Sequence, residues 1–123
     1  MKDETHVEVD EIWHKRRFVY FAIGRKTKLI LNYHIGQRDY RDVITFLEGI
    51  PEEIRKSERI TFVSDAYVNY LNLLPDYVEN CIIVNKSELK KRKEVVVFIH
   101  TSKSINYMVV VFTHTKYIKL RIV

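Results

Sequence analysis

The chain has 123 residues, 46% hydrophobic and 30% charged, enough for one apolar core and too few for two. No stretch approaches the roughly 20 apolar residues that cross a bilayer. The charged start Met1-Lys2-Asp3-Glu4 has no apolar run behind it, so no signal peptide and no membrane span are expected, and a cytoplasmic protein is. The formal net charge of +5 is unevenly spread: residues 1–85 hold 12 Lys/Arg against 14 Asp/Glu, and residues 86–123 hold 9 against 2.

Val7 to Trp13 alternates and is rich in β-formers, which predicts a strand with Val7, Val9 and Glu11 on one face and Glu8, Asp10 and Ile12 on the other. His14 to Arg17 is a basic turn, Phe18 to Ile23 a second strand, Gly24 to Thr27 a turn and Leu29 to Ile35 a third strand. Three strands with short connections predict an antiparallel meander. The period then changes. Asp39 suits a helix N-cap, and Tyr40, Val43, Ile44, Leu47 and Ile50 follow at helical spacing until Gly49 and Pro51 close the segment. Ile60 to Val63 predicts a short buried strand ending in Ser64-Asp65. Ala66 to Leu74 is helical in pattern and stops at Pro75, and Cys81 to Val84 predicts another buried strand with Cys81 in the core. Lys86 to Lys93 is a basic linker or helix start. A meander followed by alternating helices and strands predicts an α/β fold, with helices packed on a mixed sheet.

The tail departs from this pattern. Val95 to Thr101 (VVVFIHT) recurs 14 residues later as Val109 to Thr115 (VVVFTHT). Such a near-repeat reads as a hairpin of two similar strands, or as a tandem duplication under little constraint. Residues 1–89 are therefore expected to form the core, and 90–123 a basic, β-prone tail rather than a separate domain. The basic excess suits a nucleic acid, although a solvated tail has the same composition.

Two acids fall where chemistry is feasible. Asp10 lies in the first strand and Asp65 ends the fourth, 55 residues later. In a sheet that makes those strands neighbours, the carboxylates converge at one edge. Two such groups repel, and a hard divalent cation with oxygen ligands relieves that repulsion. Carboxylates rather than histidines suit Mg²⁺ or Mn²⁺. The bland alternative is an exposed strand acid and, for Asp65, a helix N-cap. The five histidines and the lone Cys81 have no zinc-site spacing.

Three separated blocks carry a resemblance. Val7-Glu8-Val9-Asp10-Glu11-Ile12-Trp13 precedes the aromatic strand Phe18-Val19-Tyr20-Phe21-Ala22-Ile23 and Arg25-Lys26-Thr27. Ile60-Thr61-Phe62-Val63-Ser64-Asp65-Ala66-Tyr67 is followed by Tyr70 and Leu73-Leu74-Pro75. Ile82-Ile83-Val84-Asn85-Lys86-Ser87 comes third. In order and spacing, residues 6 to 88 resemble the catalytic core of DDE transposases of the insertion-sequence-one type, which is RNase H-like. The resemblance implies a metal-dependent enzyme that cleaves a DNA phosphodiester and transfers the strand, using Mg²⁺ or Mn²⁺. Asp10 and Asp65 would be the first two catalytic and metal-binding acids. Glu11 would be a neighbour of the site on the other strand face and not a ligand. DNA is the implied partner, with a homo-oligomer acting on paired transposon ends. Lys15, Arg16 and Arg17 are candidate phosphate contacts, as are Lys90, Lys91 and Arg92 of the tail. Trp13 is expected in the core rather than stacked on DNA, and Tyr67 and Tyr70 as helix packing residues.

The family places its third acid, a Glu, on a following helix, with Asn and Arg close behind. Glu94 is the leading candidate here for both catalysis and metal binding, 29 residues after Asp65, and Glu88 the runner-up at 23. The β-branched run after Glu94 disfavours a helix and lacks both the Asn and the Arg. The resemblance ends near Leu89, and the chain beyond reads as truncated or divergent. No DNA-binding module is expected ahead of the first strand. The alternatives are an inactive transposase remnant that holds nucleic acid through its basic tail, another RNase H-like nuclease, and a β-rich interaction module.

Overall fold

A computed structural model describes residues 3–85, 94–101, 104–114 and 117–122, with side-chain surroundings for residues 3–84. The meander forms as its patterning predicts: β1 spans His6–His14, β2 Arg17–Gly24 and β3 Ile30–Gly36, each antiparallel to the next. The β1–β2 connection is the two-residue turn Lys15-Arg16, both at positive φ (48° and 68°). That conformation matches the twist of the flanking strands, and here it is held by residues other than glycine.

The next turn is built around a group that the sequence does not advertise. Glu4 is only 3% exposed. Its carboxylate accepts hydrogen bonds from the Lys26 and Thr27 N–H groups (3.1 and 3.0 Å to Oε1) and from Thr27 Oγ1 (2.9 Å). A side chain at Gly24 would collide with both Glu4 Oε1 and Thr27 Oγ1, so the turn requires glycine for space. Burial pushes the Glu4 carboxyl up. The hydrogen bonds from Thr27, Lys26 and His6 outweigh it and hold the pKa at about 2.

Beyond the meander the chain alternates. Helix α1 (Tyr40–Glu48) starts where Asp39 caps it, accepting from Asp42 N–H at 2.8 Å. A single turn, α2 (Glu52–Arg55), follows Pro51, and then come β4 (Thr61–Asp65), α3 (Val68–Tyr77) and β5 (Cys81–Asn85). Two boundaries differ from the sequence reading. Helix α3 starts at Val68, because Asp65 and its neighbours are still extended. It also runs through Pro75, which lacks the N–H needed to continue the ladder; the helix persists because Leu73 and Leu74 are buried beneath it.

Five of the strands lie side by side in the order β3-β2-β1-β4-β5 in one mixed sheet. Strand β1 lies parallel to β4 (His6↔Thr61, Val7↔Phe62, Glu8↔Val63), and β4 parallel to β5. The tail does join the sheet: β6 (Glu94–Thr101), β7 (Ser104–His114) and β8 (Tyr117–Ile122) continue it antiparallel from β5. The near-repeat is a hairpin, with Val97 opposite Val109 and Val95 opposite Val111.

One sheet face packs on α1 and α3. Val7, Val9, Tyr20, Ala22, Phe62 and Ile83 meet Val43, Phe46, Leu47, Tyr70 and Leu74, all but Val9 at most 1% exposed. The Tyr20 and Phe46 rings stack at 5.6 Å, and the buried Tyr20 hydroxyl donates to the Gln37 carbonyl at 2.7 Å. Cys81 is in this core, and burial pushes its thiol up to about 12. Trp13 is not: it is 59% exposed, its ring 4.8 Å from Phe18. The reason is that β4 pairs with β1 only as far as Glu8, so the hairpin tip around Trp13 projects past the sheet. No helix among the described residues is long and apolar enough to cross a membrane.

The Glu4 carboxylate gives the fold an acid-sensitive anchor. Its pKa is depressed from 4.5, so its contribution is fully present above about pH 4.5 and is lost as pH falls towards about 2. In Glu4→Gln, thermal unfolding followed by circular dichroism is expected to show a lower Tm at neutral pH and a flatter decline through that acid window. An unchanged acid profile would remove Glu4 from this role.

Candidate metal centre

The parallel register that pairs Glu8 with Val63 sets Asp10 opposite Asp65 when it is carried on by two residues. Asp65 thus ends β4, and Asp10 sits in β1 two residues past the last β1–β4 pair, where that side of β1 is open. One carboxylate oxygen from each of Asp10, Glu11 and Asp65 lies within 4.8 Å of the other two. A cleft of about 250 Å³ opens beside them, lined by Glu8, Asp10, Phe21, Val63, Asp65 and Val84 among others. Asp10 is exposed and Asp65 half-buried.

Glu11 stands beside the two aspartates, where the sequence reading puts it. It does alternate onto the helix-facing side, as expected, yet its carboxylate joins the cluster. Beyond Glu8 the side of β1 that faces β4 is unpaired, and a Glu side chain is long enough to reach round that open edge. The Glu11 side chain is only 6% exposed and both its oxygens are engaged. Oε2 accepts from the Tyr70 hydroxyl at 2.5 Å and Oε1 from Arg38 Nε at 3.3 Å, with Arg38 Nη2 in ion-pair contact at 3.2 Å. Tyr70 is thus both a packing residue and a donor to the site. Burial pushes the Glu11 carboxyl above its ordinary value. The Tyr70 hydrogen bond and the Arg38 charge pull it back, while the Asp65 and Asp10 charges add to the rise. The Tyr70 phenol is itself raised, by burial and by the bond to Glu11.

The remaining contacts fix orientation. Asp65 Oδ1 accepts the Tyr67 N–H at 3.0 Å, so Asp65 does cap the turn entering α3 although it is not the helix N-cap. Asp10 Oδ1 accepts the Glu11 N–H at 2.8 Å. Arg38, in the loop before α1, lays its guanidinium over the Tyr67 ring, 4.0 Å from the centroid. Neither Arg38 nor Tyr70 stood out in the sequence as part of a site. The one available hint was that Arg38 directly precedes the capping Asp39.

The other candidates fall elsewhere. Lys15, Arg16 and Arg17 are exposed at the hairpin tip, about 17 Å along β1 from Asp10 at ~3.4 Å per residue. Glu94 opens β6, a strand where the resemblance implies a helix, and its side chain lies outside the described residues. Glu88, Lys90, Lys91 and Arg92 lie outside the described residues altogether. No family model, curated protein or solved structure matches the chain.

Three oxygen donors at this spacing form a donor set suited to a hard divalent cation, which also offsets their mutual repulsion. Tyr70→Phe keeps the buried ring and removes the donor to Glu11. The Glu11 carboxyl is expected to titrate higher still by NMR, and urea unfolding to show a loss of about 1–3 kcal/mol. An unchanged Glu11 titration would mean that the hydroxyl does not hold the carboxylate.

Proposed function

We propose that this chain is a DDE transposase-type catalytic core with an RNase H-like fold, acting by metal-dependent cleavage and strand transfer on DNA. The observation that carries the reading is the convergence of Asp10 and Asp65. They are distant in sequence, belong to separate blocks of the family resemblance, and lie on neighbouring parallel strands with carboxylate oxygens within 4.8 Å of each other. The antiparallel meander followed by two parallel strands supports the same reading, since it makes the two acid-bearing strands neighbours.

Asp10 and Asp65 would hold Mg²⁺ or Mn²⁺, with Glu11 as the third nearby carboxylate. When bound, such ions activate the attacking water or 3′-hydroxyl and stabilise the leaving oxygen. The Tyr67 N–H keeps Asp65 aimed along the strand axis, and the Glu11 N–H does the same for Asp10. Tyr70 and Arg38 hold Glu11 in place and partly neutralise it. The cleft wall formed by Phe21, Val63 and Val84 keeps one side of the acids apolar, which strengthens electrostatic interactions there.

A second reading is favoured by β6. A strand stands where the resemblance calls for a helix bearing the third acid. On that reading the chain keeps the fold and binds nucleic acid through its basic tail without cutting it. Its affinity would then depend on salt but not on DNA sequence or metal.

Nicking of supercoiled plasmid in Mn²⁺ separates the two. Asp65→Asn is expected to abolish nicking with little change in Tm. Retained nicking by that variant at equal purity sinks the active-site assignment. Salt-sensitive binding by a wild-type chain that does not nick supports the remnant.

A further inference from the structure

We infer that Arg38 is a phosphate-binding residue, contacting the DNA backbone beside the acidic cluster; this rests on the phosphodiester reading of that site. A guanidinium carries five N–H donors in a planar fork. Nε donates to Glu11 Oε1 at 3.3 Å, and Nη2 lies 3.2 Å from the same oxygen. The remaining donors have no acceptor among the described residues, and the side chain is 45% exposed. One face of the fork is covered by the Tyr67 ring at 4.0 Å, with Phe18 at 5.9 Å. Stacking and the Glu11 bond together restrict its rotation, so that its free edge is held out to solvent beside Glu11. Such an edge matches two oxygens of a phosphodiester.

Electrostatics point the same way. Three clustered carboxylates repel an approaching phosphate, and a fixed positive charge one carboxylate away lowers that barrier. Other cations near the site lack this arrangement. Arg25 pairs with Glu8 at 3.0 Å, both about half exposed, and Lys15, Arg16 and Arg17 sit at the projecting hairpin tip. Were Arg38 only a brace for Glu11, its loss would alter stability and leave DNA affinity untouched.

The test uses the full chain and a labelled 20-bp duplex, with anisotropy read across a salt series in EDTA and again in Mn²⁺. Arg38→Ala is expected to weaken binding about tenfold and to lower the log–log salt slope by about 0.9, one phosphate contact. Arg38→Lys restores the slope and only part of the affinity, because it keeps the charge and loses the fork. It also covers the case of an alanine variant that fails to fold. Mn²⁺ binding by Arg38→Ala, followed by electron paramagnetic resonance, stays as tight as in the wild type or tightens. Wild-type affinity and slope in Arg38→Ala, or a wild-type chain that binds no duplex, overturns the assignment. If Asp65→Asn still nicks while Arg38→Ala loses affinity, the acid assignment alone fails; Asp65-dependent nicking with a wild-type KM in Arg38→Ala sinks the Arg38 role alone.

Discussion

Strand β1 lies parallel to β4, with Val7 against Phe62, and most of the molecule follows from that contact. Both residues are fully buried. A slip of one residue in either strand would turn Val7 and Val9, or Phe62, away from α1 and α3, so the register is tightly specified. The same register joins the N-terminal meander to the later βαβ segment. It also ends the pairing early, at Glu8 and Val63, which leaves the strand ends free to spread. The apolar residues that lock the strands and the acids that project from their ends are therefore set by one alignment.

The acids oppose this arrangement electrostatically. Asp10, Glu11 and Asp65 crowd three negative groups into one corner, and burial raises the cost for Glu11 further. Tyr70 from α3 and Arg38 from the loop before α1 offset part of it. Glu4 shows the contrasting solution at the other end of β1. There a single buried carboxylate is satisfied by backbone N–H groups and is strongly acidic. A fully solvated acid is structurally ordinary. A corner of three carboxylates, only one of them paired with a cation among the described residues, is a place that could hold a metal ion.

The tail adds sheet where the family resemblance calls for a helix. The runs VVVF in β6 and β7 are β-branched and pair with each other, and β6 finds β5 as its edge. At the far edge β8 carries Lys119 and Arg121, charges of the kind that discourage further strand addition. At the opposite edge β3 exposes Ile30, Tyr33 and Ile35 and contains no lysine, arginine or proline.

Much of this fold was legible from local pattern. Alternation in VEVDEIW, the aromatic run after it, the Asp39 cap with its helical spacing, and the short apolar runs before Asp65 and from Cys81 each determine an element, because backbone periodicity acts within a few residues. The pairing of Asp10 with Asp65 could be proposed from motif order, though nothing local obliges it. What only tertiary structure decided depends on where strands stop. Glu11 joins the acids because pairing ends two residues before Asp10; Trp13 is exposed because the hairpin outruns its neighbour; Arg38 and Tyr70 meet Glu11 because two helices pack on the same sheet face. Such contacts join residues 27 and 59 positions apart. Periodicity carries no information over that range, since it is the sheet register and helix packing that bring those side chains within hydrogen-bond reach.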